Sequence, residues 1–443
     1  MVLLSVRGRF ASDVSSLSWS HQLAAKPHGQ RARGRSRNAM SDPERLPRHG
    51  PAGPDRGPQP RRLVAANLVF FPMATVYAIV ALPASVHAML ARTEAFPALA
   101  STTGHAHEML FGFALAVVVG NQLGRISLAR LALLTGLWVL ARATFLFAPA
   151  SLAAAGANIA FSGLLAALLA PRLLAAAKKW RNEALPVVLA AICACGIAFQ
   201  LARQAGFAAA EHAILAMAVL LFAMLLLFMG GRILAPALAG QFYRQGSDLA
   251  ARVQPQIEGG LIIAMGIAIA ASPFAGWRPF ALSAGAATAI SGVLALVRLW
   301  RWRLWALQGR PDLLCLAAGY GWLALGLLAY GAALAVGRYQ TAALHLITVG
   351  ALGTLTLNVM AMTWTLKAGE DPSRDRLRLA ATVLVGAAAL ARVLGGVGVS
   401  DPLRLFVIAS TLWSGAFALL LAILVRARVR KSARVQAIPK EIE

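Results

Sequence analysis

Residues 214–229 form an uninterrupted apolar stretch, which reads Ile214-Leu-Ala-Met-Ala-Val-Leu-Leu-Phe-Ala-Met-Leu-Leu-Leu-Phe-Met229. A helix needs about 20 predominantly apolar residues to cross the hydrocarbon core of a bilayer. Runs of this kind recur along most of the chain. Because they are rich in Leu and Ala with scattered Gly and Pro, they are typical of membrane helices and not of the alternating strands of a membrane β-barrel.

The overall composition indicates the same class of protein. Of 443 residues, 59% are hydrophobic and only 13% are charged, which is typical of a polytopic membrane protein. We predict an all-α polytopic membrane protein, with about twelve transmembrane helices in one bundle over residues 63–426. The predicted spans cover approximately residues 63–90, 106–120, 131–146, 152–170, 185–201, 214–229, 259–271, 281–297, 313–336, 344–362, 379–394 and 405–425.

The two ends of the chain lack such runs. Residues 1–62 are basic, of low complexity and rich in Pro and Gly, and we expect them to be disordered because they have few apolar side chains to bury. Met40, followed by Ser-Asp-Pro-Glu, resembles an ordinary N-terminus, so residues 1–39 are a candidate start-site artefact. Residues 427–443 are predicted to form a basic cytoplasmic tail.

The net charge of +25 is unevenly distributed. Basic residues cluster in the N-terminal tail, in the loops after even-numbered spans and at the C-terminus, whereas each loop after an odd-numbered span has at most one. This pattern predicts that both termini face the cytoplasm. No compact soluble domain is available to form a basic patch, so the charge does not indicate nucleic-acid binding. The expected partner is the lipid bilayer.

All five histidines of the membrane domain fall at the predicted outer ends of spans: His87, His105, His107, His212 and His345. Chance would have divided them between the two faces. Ionisable groups at such positions are costly unless they are paired, coordinated or functional. Neutral imidazole is a common ligand of copper, iron and zinc, and a standard ligand of haem iron. We therefore predict a metal or haem site in this layer; the alternative is a set of interfacial histidines that bond only to water.

Residues 104–112 read Gly-His-Ala-His-Glu-Met-Leu-Phe-Gly and place two of these histidines next to a carboxylate. On a regular helix, His105 and His107 lie about 200° apart around the axis, so one metal ion cannot bind both. Either the first turn is irregular, or the two imidazoles face different sites. In the plainer interpretation, Thr103 caps a polar helix start.

Two arginines within apolar spans, Arg142 and Arg392, belong to the same layer, and each needs a counter-charge or a hydrated cavity. The partner is either Glu108 or Glu211 in a structural ion pair, or a haem propionate, which suits the guanidinium fork. The candidate cofactor-binding residues are His105, His107, His345, Arg142 and Arg392. The candidate metal ligands are His105, His107, Glu108 and His345, with His212 and His87 as second choices.

Four segments resemble the NnrS family of membrane proteins over most of residues 63–425. They are residues 105–113 (His-Ala-His-Glu-Met-Leu-Phe-Gly-Phe), 230–236 (Gly-Gly-Arg-Ile-Leu-Ala-Pro), 319–322 (Gly-Tyr-Gly-Trp) and 345–354 (His-Leu-Ile-Thr-Val-Gly-Ala-Leu-Gly-Thr). The resemblance implies a haem- and copper-containing protein of the bacterial inner membrane that acts in nitric-oxide metabolism or nitrosative-stress protection. Carried over residue by residue, it points to His105, His107, Glu108, Arg232 and His345.

The chain departs from the family pattern in three places. Ala317 and Ala318 stand where family members usually have a histidine, and residues 368–370 stand in place of a second one. The segment after the second span, residues 121–125, is replaced and shortened. Copper is thus the weaker of the two cofactor predictions. The alternative functions are a secondary transporter of a small solute, whose binding residues would converge at the middle of the bilayer, and a cofactor-free assembly protein.

Overall fold

The computed structural model describes residues 63–91, 95–177, 180–307, 309–399 and 401–436. The predicted N-terminal tail, residues 1–62, lies outside the described residues. Within these described residues, twelve helical segments follow one another. They are α1 (Asn67–Ala91), α2 (Thr102–His107, Glu108–Ala114 and Leu115–Gln122), α3 (Leu128–Phe147), α4 (Leu152–Ala176), α5 (Trp180–Gln204), α6 (Ala208–Arg244), α7 (Pro255–Ala271), α8 (Arg278–Arg301), α9 (Pro311–Val336), α10 (Gln340–Lys367), α11 (Arg376–Val397) and α12 (Pro402–Gln436).

Eleven of these helices are long and apolar enough to cross a membrane, by length and composition. The other one, α2, consists of three short segments joined end to end and has His105, His107 and Glu108 in its first half. The predicted all-α polytopic membrane fold is confirmed. Every described helix except α1 is longer than its predicted span: α12, for example, continues to Gln436, into the segment predicted as the C-terminal tail.

Neighbours in sequence are also neighbours in space through most of the bundle, and α1 packs against α12, which joins the two ends of the membrane domain. Glycines allow one close approach between two helices. A Cβ on Gly285 of α8 would lie 2.8 Å from the carbonyl oxygen of Gly331 in α9, and one on Gly331 would lie 2.5 Å from the carbonyl oxygen of Gly285. Only glycine allows these backbones to touch, as is common in helix pairs in lipid.

Three helices contain π-helical segments, which are rare and frequently occur at functional sites. They are Glu108–Ala114 in α2, Gly230–Leu234 in α6 and Leu346–Gly353 in α10. In α2 and α10 the π segment starts at the residue that follows a histidine, His107 or His345. The spacing of His105 and His107 left open an irregular first turn in α2; the π-helical irregularity begins after that turn, at Glu108.

A short antiparallel pair of strands, which the sequence analysis did not predict, joins the beginning of the described chain to the α2–α3 connection. Strand β1 (Leu63–Ala65) pairs with β2 (Arg125–Ser127), with Val64 opposite Ile126. This pairing fixes the start of α1 beside the end of α2.

Candidate cofactor site

One end of the bundle, which we call the histidine end, is formed by the end of α1, the starts of α2, α6 and α10, and the ends of α3, α5 and α11. Side chains tie these elements together. Nη2 of Arg203 in α5 donates to the hydroxyl of Thr103 in α2 at 3.1 Å and to Oε2 of Glu211 in α6 at 2.6 Å. Nε2 of Gln204 donates to the carbonyl of Ala150, beyond the end of α3, at 3.0 Å. The predicted outer layer therefore contains elements that are in contact with one another.

His107 lies in a closed polar network and is fully buried. Its Nε2 accepts a hydrogen bond from the amide of Gln200 at 2.9 Å, which leaves Nδ1 to donate to Oε1 of Glu108 at 3.0 Å. The imidazole also packs on the rings of Phe145 and Phe199, with centroids 4.0 and 4.7 Å away. Both ring nitrogens are occupied by protein partners, so a metal ion could bind His107 only by displacing one of them.

Glu108 is the centre of this network and is also fully buried. Nη1 of Arg142 donates to its Oε1 at 2.5 Å, and the hydroxyl of Tyr77 donates to Oε2. The Arg142 guanidinium also donates to Oδ1 of Asn158. A Cβ on Gly112 would lie 2.9 Å from Nη1 of Arg142 and 3.0 Å from the Tyr77 ring, so glycine leaves the space that these side chains use. Of the alternatives for Arg142, the structure has the ion pair with Glu108.

The predicted site residues did not include Tyr77, Asn158 and Gln200. The last two were detectable, because a lone amide within an apolar span needs a polar partner in the protein. Asn158 and Gln200 lie in α4 and α5, and both are buried. Their partners depend on how α2, α3, α4 and α5 pack against one another, which the sequence alone does not give.

His105 is separated from this network, as the 200° rotation allows. Its Nδ1 is buried and has no hydrogen-bond partner in the structure. His105 lies near His345 and Arg392. The two imidazoles of α2 therefore face different surroundings, which is the second of the two possibilities that the spacing left open.

His345 is held by the backbone of its own helix. Its Nδ1 lies 2.6 Å from the carbonyl oxygen of Thr341, one turn earlier in α10, so Nδ1 is the protonated nitrogen and Nε2 keeps its lone pair. An imidazole that ligates a metal usually donates its other N–H to a backbone carbonyl or a carboxylate in this way. His345 thus has a tautomer that leaves Nε2 able to bind a metal.

Arg392 of α11 lies beside His345. Its Nη1 is 3.3 Å from the position that a Cβ on Gly396 would occupy, and that position is 2.9 Å from Cβ of Ala342, one turn before His345. The guanidinium carbon lies 4.2 Å from the centroid of the Phe406 ring. Within the described part of the chain, Arg392 has no carboxylate partner, in contrast to Arg142.

The second-choice ligands lie apart from this pair. His87 and His212 are exposed, and Nδ1 of His212 lies 2.9 Å from the carbonyl oxygen of Ala208 in its own helix. Among the residues that the structure describes, no group of three or more His, Cys, Asp or Glu side chains is arranged to hold a metal ion. The histidine end therefore contains two separate arrangements: a closed network around Glu108, and an open one of His105, His345 and Arg392.

The family model described as NnrS protein matches residues 68–431, which is most of the chain. The matched region contains all twelve helices except the first residue of α1 and the last residues of α12. A search of curated proteins gave no match.

Proposed function

The chain belongs to the NnrS family, and on that premise we propose that His105, His345 and Arg392 hold a haem at the histidine end and that the protein acts in nitric-oxide metabolism or in the response to nitrosative stress. A haem iron binds small gaseous ligands such as nitric oxide, with a reactivity that the surrounding protein adjusts.

The observation that carries this proposal is that each of these three side chains has a polar group available for a ligand. Nδ1 of His105 is buried without a partner, Nε2 of His345 keeps its lone pair, and no carboxylate among the described residues forms a salt bridge with Arg392. Buried polar groups are normally hydrogen-bonded, so the buried Nδ1 of His105 needs an explanation. Two imidazole nitrogens and one guanidinium are the groups that a haem iron and its propionates would engage.

Each residue has a distinct part in this proposal. His345 presents Nε2 in an orientation fixed by the Thr341 carbonyl, and His105 presents an imidazole from α2. Arg392 supplies positive charge, held in place by the Phe406 ring, to neutralise a carboxylate of the bound group. The network around Glu108 fixes the backbone on which His105 stands, because His107 and Glu108 follow it directly in α2.

Copper remains the weaker cofactor prediction. A copper site of the usual kind needs three or more donors, and the described residues provide no such cluster. Of the predicted metal ligands, His107 and Glu108 are engaged with Gln200 and Arg142, and His87 and His212 are exposed at separate places. The residues present therefore suit a haem better than a copper ion.

We also place the protein in the bacterial inner membrane with both termini in the cytoplasm, on the strength of the loop charges. The histidine end would then face the periplasm. The even number of helices is compatible with this assignment, because it puts the start of α1 and the end of α12 on the same side.

The test is an absorption spectrum of the full chain purified in detergent, reduced and then exposed to nitric oxide. We expect a Soret band that shifts when nitric oxide is added. His345→Ala should remove or shift this band, whereas His212→Ala, an exposed histidine bonded in the same way to its own helix, should leave it unchanged. A purified protein without a Soret band would contradict the proposal.

A further inference from the structure

A second polar site lies far from the histidine end, between α5, α6, α7 and α8. Helix α6 links the two, and it rises about 30 Å from His212 to Arg232. The site is a cavity of about 180 Å³, with polar lining residues Asn182, Arg232, Glu258 and Arg298. We call it the arginine cavity. Apolar side chains of α6 and α7 form the rest of its wall.

Arg298 forms the inner part of the cavity and is only 3% exposed. It donates to Oε1 of Glu258 at 3.1 Å and to the carbonyl of Leu227 at 3.1 Å, but its buried Nε has no partner. A Cβ on Gly231 would lie 2.3 Å from Nη2 of Arg298, so this guanidinium can lie against α6 only because residue 231 is glycine. The π segment Gly230–Leu234 thus adjoins the arginine.

Arg232, in the same π segment, is the outer group. It is exposed, and its hydrogen bond to Oδ1 of Asn182 is long, at 3.3 Å. Bonds of this length are weak, so this guanidinium keeps most of its capacity for an acceptor. No carboxylate within the described ranges forms a salt bridge with Arg232.

The charges of the lining residues do not balance. Among the described lining residues two arginines face one glutamate, so these three groups carry a net charge of +1. Its volume of about 180 Å³ is below the roughly 300–1,000 Å³ of pockets that enclose drug-sized ligands. A guanidinium fork recognises planar oxyanions by two parallel hydrogen bonds. From these observations we infer that the arginine cavity binds a small, planar, singly charged oxyanion, the chemical class of formate, nitrite, nitrate and bicarbonate.

This inference goes beyond the haem proposal and does not depend on it, because the two sites share no residue. It assigns Arg232 as the ligand at the entrance of the cavity and Arg298 as the charge that attracts the anion from within. Glu258 opposes binding, since its carboxylate competes for Arg298 and repels the ligand.

The test is isothermal titration of the full chain in detergent with sodium nitrite and, separately, sodium formate at constant ionic strength, which keeps screening constant. We expect saturable binding of one anion per chain. Arg232→Gln should weaken it by about tenfold, equivalent to roughly 1.4 kcal/mol. Arg301→Gln is the matched control, because Arg301 is exposed on α8 one turn beyond Arg298, and it should leave the affinity unchanged.

The Glu258→Gln variant distinguishes anion binding in the arginine cavity from a purely structural role of its charged side chains. If the cavity binds an anion, removing the competing charge should tighten nitrite binding by roughly threefold to tenfold. Added nitrite should also raise the unfolding temperature of this variant more than that of the native chain, because the anion replaces the lost counter-charge. If the cluster is only structural, nitrite would neither bind this variant more tightly nor stabilise it.

Three results would overturn the inference. They are the absence of saturable binding of either anion, equal losses in Arg232→Gln and Arg301→Gln, and tighter binding of chloride or phosphate than of nitrite. The last of these would show a site for spherical or tetrahedral anions, such as a lipid phosphate, and not for planar ones. Binding that survives in His105→Ala would show that the two sites act independently.

Discussion

Nη1 of Arg142 lies 2.5 Å from Oε1 of Glu108, and the two side chains are 4% and 0% exposed. This contact joins α2 to α3, and through Tyr77 and Asn158 it extends to α1 and α4. A buried ion pair contributes little relative to an apolar pair, but removing one partner leaves the other charge without compensation. The pair is therefore a sensitive point for stability at the histidine end.

Glu108→Gln should destabilise the protein by roughly 3–5 kcal/mol, because the amide keeps the shape of the carboxylate and leaves Arg142 as an uncompensated buried charge. The measurement is thermal unfolding in detergent. Glu183→Gln is the control: Glu183 is exposed in α5, and surface substitutions usually change stability by less than about 0.5 kcal/mol. Equal stability of the two variants would show that the Glu108–Arg142 contact contributes nothing.

The two histidines of α2 should respond differently to substitution. His107→Ala leaves Glu108 and Gln200 each short of a buried partner and should cost about 2–3 kcal/mol of stability, with the position of the Soret band unchanged. His105→Ala should change the spectrum and affect stability little, since Nδ1 of His105 bonds to nothing in the structure. The opposite result would move the cofactor site to the Glu108 network.

Arg392→Gln should lower the amount of bound haem without changing the fold, because it removes the charge proposed to neutralise a propionate. The measurement is haem content per chain, from the pyridine haemochrome spectrum and the protein concentration. Arg338→Gln is the matched control, an exposed arginine at the end of α9 on the same side of the bundle. A loss of haem in both variants would indicate a general effect of surface charge.

The fold could be predicted from the sequence because each long apolar run can be recognised within its own segment of the chain. A run such as residues 214–229 needs no partner to be recognised, since lipid requires every backbone group to be satisfied within the helix. The π segments could not be predicted in this way. These segments lie where neighbouring helices pack closely. At Gly230, where the π segment of α6 begins, a Cβ would lie 2.3 Å from the ring of Tyr320 in α9.

The sequence could place the five histidines at one end of the bundle, but it could not predict that they have different partners there. The alternation of spans placed five histidines at one end, and the helical rotation between His105 and His107 left two arrangements open. Which partner each side chain has depends on helices distant in sequence, as with Gln200, which meets His107 across 93 positions. From a single sequence it cannot be decided whether His107 bonds to Gln200 or coordinates a metal.

Gly230→Ala should destabilise α6 by roughly 1–3 kcal/mol, the usual range for overpacking, because its methyl group would collide with the ring of Tyr320. Gly136→Ala is the control: a Cβ there meets nothing within 4 Å, and Ala is the better helix former. Thermal unfolding of the two variants should move in opposite directions. Equal stabilities would mean that α6 and α9 can separate without cost.

The orientation proposed from the loop charges can be tested with single cysteines. The three native cysteines, Cys193, Cys195 and Cys315, are buried, so they should react slowly with a membrane-impermeant maleimide. Ala150 lies exposed between α3 and α4, and Asp248 lies exposed between α6 and α7. In intact spheroplasts Ala150→Cys should be labelled and Asp248→Cys should not, whereas both should react after the membrane is opened. Labelling of Asp248→Cys alone in intact spheroplasts would invert the protein and place the histidine end in the cytoplasm, because Ala150 is tied to the histidine end by Gln204.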